Sequence, residues 1–229
     1  LIKNEVIILG TIHSQHLQDD TYSLQELNAI LHNLNPHILL VELPISHFDD
    51  IFSEFKAEGK IVKNDTPHYP EYPLVILPYA IKKGIEVVPF SAWSKKMVVD
   101  RDNKLEEIKN NPKRKQDWNT FLEASELSYK MFRQENETLD PMWIHSDRFD
   151  ELMEIRLSVF NRLFNAELKE GGWDNINNAH YQSIDKTLTN NEGKGLRILI
   201  MIGAGHKGWM KRKLRERQDI ELKNLVDVL

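Results

Sequence analysis

Three short apolar runs separated by helical stretches constrain the fold of this chain more than any other feature. Val6-Ile7-Ile8-Leu9, closed by Gly10, reads as a buried strand. A helical stripe follows, Leu24, Leu27, Ile30, Leu31 and Leu34, opened by Ser23 and Glu26 in capping-box spacing. Pro36 ends that helix, and Ile38-Leu39-Leu40-Val41 reads as a second buried strand. Residues 74–83 read as a helix kinked at Pro78 and stopped at Gly84, and 85–90 read as a third strand. A β-α-β-α-β order is the signature of a parallel sheet with crossover helices. Between the second strand and the second helix, 49–70 reads as a long polar connection of the kind that covers a site.

From about 104 to 190 the pattern turns helical. Its clearest stripe is Phe149, Leu152, Ile155, Val159, Phe160 and Leu163, capped by Ser146. A further helix of roughly 173–188 follows Gly171-Gly172. The strand Arg197-Ile198-Leu199-Ile200-Met201-Ile202 then leads through Gly203-Ala204-Gly205-His206 into a basic helix, while 220–229 stays open between strand and loop. The expected architecture is one α/β domain over 1–229: a mostly parallel central sheet, flanking helices, and a helical insert at 95–190 that lids the site.

Composition narrows the chemistry. The chain has no cysteine, so thiolate nucleophiles, disulfides and Cys-ligated zinc are excluded, and the compartment, cytoplasmic or exported, stays open. A net charge of −5 gives no nucleic-acid footprint. No apolar run approaches the roughly 20 residues of a spanning helix. The chain begins at Leu1 rather than Met and runs at once into a strand, which leaves room for an upstream signal or tag.

The first strand ends in Gly10-Thr11-Ile12-His13 and the last long one in Gly203-Ala204-Gly205-His206. Both are Gly-x-x-His straight after a buried strand, and the second strand ends in Glu42. Open α/β sheets bind ligands beyond the carboxyl ends of their strands, so these ends meet at one crevice if the strands are neighbours. The glycines Gly10, Gly203 and Gly205 let the backbone turn and leave room for a ligand. His206 opens a helix, whose positive end favours the neutral, ligating imidazole. Two histidines and a carboxylate suit a divalent transition metal such as manganese, cobalt or zinc, with His13, Glu42 and His206 as ligands or Glu42 as general base. A lone strand-end histidine is ordinarily a loop residue bonded to backbone; the coincidence of three strand ends raises a site above that reading.

These residues, with Pro36 and Val41-Glu42-Leu43, resemble the Tiki/TraB/PrgY/GumN group, whose superfamily includes the ChaN haem-binding proteins and the erythromycin esterases. The likeness lies in the first 45 residues and at 198–214. It implies metal-dependent hydrolysis of a peptide or ester and adds Glu71, because relatives carry a similarly placed glutamate. Relatives also carry an acidic residue after the third strand and an Arg-Asn pair before the last; here those places hold Pro89-Phe90-Ser91 and Ile176-Asn177. Two other readings stand beside the metallohydrolase. One is a non-catalytic protein that binds haem, iron or a peptide; the other is a metal-free His/Glu hydrolase like the esterase branch.

Several signals carry less. Gly203-Ala204-Gly205-His206-Lys207-Gly208 fits a dinucleotide fingerprint, yet too little chain follows it for a nucleotide fold, which leaves Lys207 as a contact for a phosphate-bearing substrate. His16 is a ligand or proton shuttle on the sharp reading and a solvated loop histidine on the plain one. His180 reads as a helix-surface histidine, and the basic residues 207–217 as a solvated face. Arg148 and Arg156 could bind an anionic substrate, with surface ion pairs as the default. The expected partner is a small molecule or a peptide.

Overall fold

The computed structural model describes residues 2–61 and 69–229. The elements run β1 (Asn4–Thr11), α1 (Leu24–Leu34), β2 (Ile38–Pro44), α2 (Phe48–Glu58), α3 (Leu77–Lys83), β3 (Glu86–Ser91), α4 (Lys95–Asn110), α5 (Lys115–Glu135), α6 (Pro141–Ile144), α7 (Asp147–Leu168), α8 (Trp173–Asn190), β4 (Arg197–Gly203), α9 (Ala204–Leu214) and β5 (Ile220–Lys223). The strands form one sheet in the order β3-β2-β4-β1-β5, and every pairing is parallel. The expected α/β class and parallel sheet are therefore present, with the helical region at 95–190 resolved into α4 to α8.

Alternation across the pleat divides the core between the two faces. Ile7, Leu9, Leu39, Val41, Leu199 and Met201 pack on one side with α1 and α3. Val6, Ile8, Ile38, Leu40, Ile198 and Ile200 pack on the other with α8 and α9. Near-continuous apolar strands are what a sheet covered on both faces requires. A third cluster, including Phe160, Phe164 and Trp118, holds α4, α5 and α7 together as a separate helical layer. The capping expectations hold: Ser23 Oγ accepts from the Glu26 amide, and Ser146 Oγ from the Phe149 amide. Among the described residues no helix is long and apolar enough to cross a membrane.

Two local expectations need correction, and the tail left open takes a definite form. The connection 49–70 contains α2, an amphipathic helix burying Phe48, Ile51 and Phe55; the part at 62–68 lies outside the described residues. The helix expected at 74–83 begins as a π-turn, Tyr72–Ile76, and becomes α-helical at Leu77, with Pro78 in its first turn. The open tail resolves into β5, which pairs with β1, and a short 3-10 turn.

Candidate active site

Parallel register places the strand ends level. Thr11 of β1 lies opposite Gly203 of β4, and β4 is flanked on its other side by β2, with Val41 opposite Met201. His13, Glu42 and His206 consequently leave the sheet at the same edge. The distances are close: His206 Nε2 lies 3.9 Å from Glu42 Oε1, and a side chain at Gly203 would lie 2.6 Å from His13 Nε2 and 3.6 Å from Glu42 Oε2. Glycine at 203 is thus required by the close approach of the His13 ring. At Gly10 a Cβ would press on Ala204 of α9, which packs tightly against the end of β1.

His13 holds a left-handed backbone conformation, φ +50°, that a non-glycine residue seldom adopts. Such strain persists only where surrounding contacts enforce it, and it clusters at functional sites. Two contacts do so here. Nδ1 is 2.8 Å from Glu71 Oε1, and the ring stacks on Tyr69 at 3.9 Å. Glu71 is fully buried and precedes the π-turn, a feature frequent at functional sites. The next residue, Tyr72, reaches beneath the strands, where its hydroxyl accepts from the Glu42 amide at 2.9 Å. One irregular turn therefore orients both the acid beside His13 and the backbone of Glu42.

The protonation pattern of the other histidines follows from their partners. Asn177 Nδ2 donates to the Trp173 carbonyl, so its Oδ1 accepts from His206 Nδ1 at 2.7 Å. This leaves a lone pair on His206 Nε2, facing Glu42. The His206 ring stacks on Trp173 at 4.4 Å. His180 Nδ1 accepts from the Ala92 amide, so its proton is on Nε2, buried without a hydrogen bond 4.0 Å from Glu42 Oε1. The remaining oxygen of Glu42, Oε2, accepts from the Gly203 amide at 2.7 Å.

These surroundings push the groups apart. Burial resists protonation of His13, but the hydrogen bond to Glu71 and the charges of Glu71 and Glu42 outweigh it and raise its pKa. Burial, aided by the charges of His180, His13 and Arg101, holds His206 well below the usual histidine range. Burial alone brings His180 down to about 4. Burial also raises the Glu42 carboxyl; His13 and the Gly203 amide oppose this, and Glu71 adds to it. One histidine whose protonation is favoured, beside others held neutral, is an acid–base division of labour.

His13, Gly203, Ala204, Gly205 and His206 line a cavity of about 610 Å³ whose other walls come from α4, α5 and α7. The helical region thus overhangs the sheet edge. The first turn of α9 presents its amides there; its N-cap, Gly203, offers no side chain to satisfy them. A second space of about 340 Å³ shares Arg101, Trp173 and His206 with the first and also touches Tyr69.

The divalent metal site expected of His13, Glu42 and His206 is not supported. Among the described residues no group of three or more His, Cys, Asp or Glu is arranged to hold a metal ion. Burial also favours the protonated form of Glu42, which is a poor ligand. Manganese, cobalt and zinc, and the metal-dependent hydrolysis built on them, are withdrawn as readings.

Other candidates move as well. His16 is neither solvated nor in the cleft: it is buried, with Nδ1 on the Tyr22 carbonyl and Nε2 accepting the Ile12 amide. It shapes the loop that carries His13. Lys207 is buried and paired with Asp150, and Lys211 with Asp147, so neither belongs to a solvated face and Lys207 is not directed at the cavity. The first two turns of α9 therefore carry both the site residue His206 and the anchors Lys207 and Lys211. His180, expected at the surface, is fully buried in the site. Tyr69, Tyr72 and Asn177 are site residues that the sequence reading does not reach, and Trp173, read as mostly core with a place in a substrate groove left open, lines the cavity. Trp173, Asn177 and His180 are spaced i, i+4, i+7, one helix face, and that polar stripe was the available signal.

No family model matches the chain, and no curated protein or solved structure is significantly similar to it.

Proposed function

We propose that this protein is a metal-independent hydrolase of ester or amide bonds in small molecules, working by histidine–glutamate acid–base catalysis. The observation that carries this reading is the His13–Glu71 pair, 2.8 Å apart, at the edge of a cavity that the first turn of α9 also enters. In the proposed reaction Glu71 fixes the proton of His13 on Nδ1, which frees Nε2 to take a proton from water. The carboxylate then stabilises the imidazolium, as the third member of a nucleophile–base–acid arrangement does. Attack of that water on the carbonyl carbon places negative charge on the carbonyl oxygen. The α9 amides offer it fixed partial positive charge. His13 returns its proton to the leaving oxygen or nitrogen as the bond breaks. His206, kept neutral, accepts a hydrogen bond through Nε2 and orients the water, with Glu42 and His180 behind it.

A cavity of this size suits a small organic molecule. The likeness to the Tiki/TraB group, and through it to the esterases, is a proposal of the same standing; its support is the set of strand-end residues and Glu71. The test is turnover of a panel of nitrophenyl esters and anilides by wild type and His13→Ala, with and without a strong chelator. Wild type is expected to turn over with chelator present, and His13→Ala to lose about 10²- to 10⁴-fold in kcat/KM. Loss of activity to the chelator, equal rates for the two proteins, or ligand binding without any turnover each refutes the reading.

A further inference from the structure

The walls of the main cavity differ in charge from the rest of the chain. The protein carries a net charge of −5, yet the charged side chains lining the cavity, apart from its histidines, are three arginines, Arg101, Arg133 and Arg156, and one glutamate, Glu137. Two arginines close by are already neutralised. Arg148 pairs with Glu135 and Glu151, and Arg114 with Asp117 and Glu167. Arg156 is different. Its Nη1 donates to the Tyr129 hydroxyl at 3.1 Å, its Nη2 meets only the sulfur of Met153 at 3.8 Å, and its Nε is buried without a hydrogen bond. Among the described residues no carboxylate pairs with it. A buried guanidinium N–H without an acceptor is costly, and thioether sulfur is a weak one.

Arg101 reaches the cavity from α4. Its guanidinium lies 5.9 Å from the Trp93 ring and 5.8 Å from the Phe160 ring, and its nearest acid, the exposed Asp102, is 3.5 Å away. Between these cations the walls are aromatic: Phe121, Phe149, Phe160 and Trp173. This combination selects a molecule with an apolar, ring-sized body and an anionic end.

Resting on the hydrolase reading, we infer that the substrate class is a carboxylate-bearing aryl or acyl compound, its carboxylate held by Arg156 with Arg101 adding charge, and its scissile bond directed to His13. The guanidinium edge of Arg156 beside the Tyr129 hydroxyl suits a planar carboxylate.

The test separates binding from turnover. Calorimetry would compare 4-phenylbutyrate, its neutral amide and phenyl phosphate as ligands of wild type, Arg156→Gln and Arg156→Lys. Wild type is expected to prefer the carboxylate to the amide by roughly tenfold or more, in a salt-dependent way. Arg156→Gln should remove that preference while leaving amide affinity unchanged, and Arg156→Lys should retain part of it. His13→Ala should bind the carboxylate as wild type does, so loss of hydrolysis in that variant leaves the binding result intact. Equal affinity of wild type for carboxylate and amide, tighter binding of phenyl phosphate, equal loss of both ligands in Arg156→Gln, or no binding at all would each overturn the inference.

Discussion

Glu71→Gln is the most discriminating single change, because it preserves shape and removes only charge. In the wild type three influences raise the His13 pKa against burial: the hydrogen bond to Glu71, the charge of Glu71 and the charge of Glu42. The substitution deletes the first two as charge-assisted terms. Burial then prevails, and His13 should titrate below its ordinary value of 6.5 instead of above it. The amide can also donate to Nδ1, which would move the ring proton to Nε2 and disable the base. The expected loss in kcat/KM is about 10²- to 10⁴-fold, the usual contribution of a positioned base. The rising limb of the pH–rate profile, set by deprotonation of His13, should shift to lower pH in whatever activity remains. Stability gives an independent reading. A raised histidine pKa contributes stability that is complete below the unfolded value of 6.5 and is lost as pH rises through the folded value. Glu71→Gln should therefore be less stable than wild type at pH 5. At pH 8.5 it should equal or exceed wild type, because Glu71 Oε2 is buried without a partner. Proton NMR titration of His13, kinetics between pH 5 and 9, and denaturant unfolding at both pH values make up the assay. An unchanged His13 titration would refute the pairing, and an unchanged rate would refute its role.

Gly203→Ala puts a methyl carbon 2.6 Å from His13 Nε2. Displacing the ring should lower kcat/KM by about 100-fold while the overpacking costs about 1–3 kcal/mol, read by kinetics and urea unfolding together. His145 is buried, accepts the Gly10 amide at Nε2 and meets the Pro141 carbonyl at Nδ1; burial, opposed by Pro141 and aided by Lys207 and Lys211, brings it down to about 3. Its stabilising effect is complete above pH 6.5 and is lost progressively as pH falls from 6.5 toward about 3, so His145→Gln should flatten the acid side of the stability–pH curve by about 1.4 kcal/mol per pH unit. His16→Ala should destabilise by about 1–3 kcal/mol through two unpaired backbone groups. An unshifted pH–rate profile in that variant would show that His16 takes no part in proton transfer.

The apolar runs around Ile7, Leu39 and Leu199 were enough to establish a parallel sheet, because strands covered on both faces must be apolar throughout and crossover connections must be helical. The strand-end positions of His13, Glu42 and His206 were legible for the same reason: a residue that follows a buried run has to emerge at the sheet edge. What the local pattern did not contain was which atoms would be used up. The hydrogen bonds of His206 to Asn177 and of Glu42 to Gly203 link residues 29 and 161 positions apart. They exist only because α8 lies beside α9 and β2 beside β4, and they fix the orientation of the ring and of the carboxylate. Burial was decided in the same way. Lys207, Lys211 and His180 look like surface residues by type, but α7 and β3 pack over them and supply Asp150, Asp147 and the Ala92 amide. A one-dimensional pattern shows where a side chain leaves its own element; the neighbour that receives it is set by packing between distant segments, and the chemistry of each site residue depends on that neighbour.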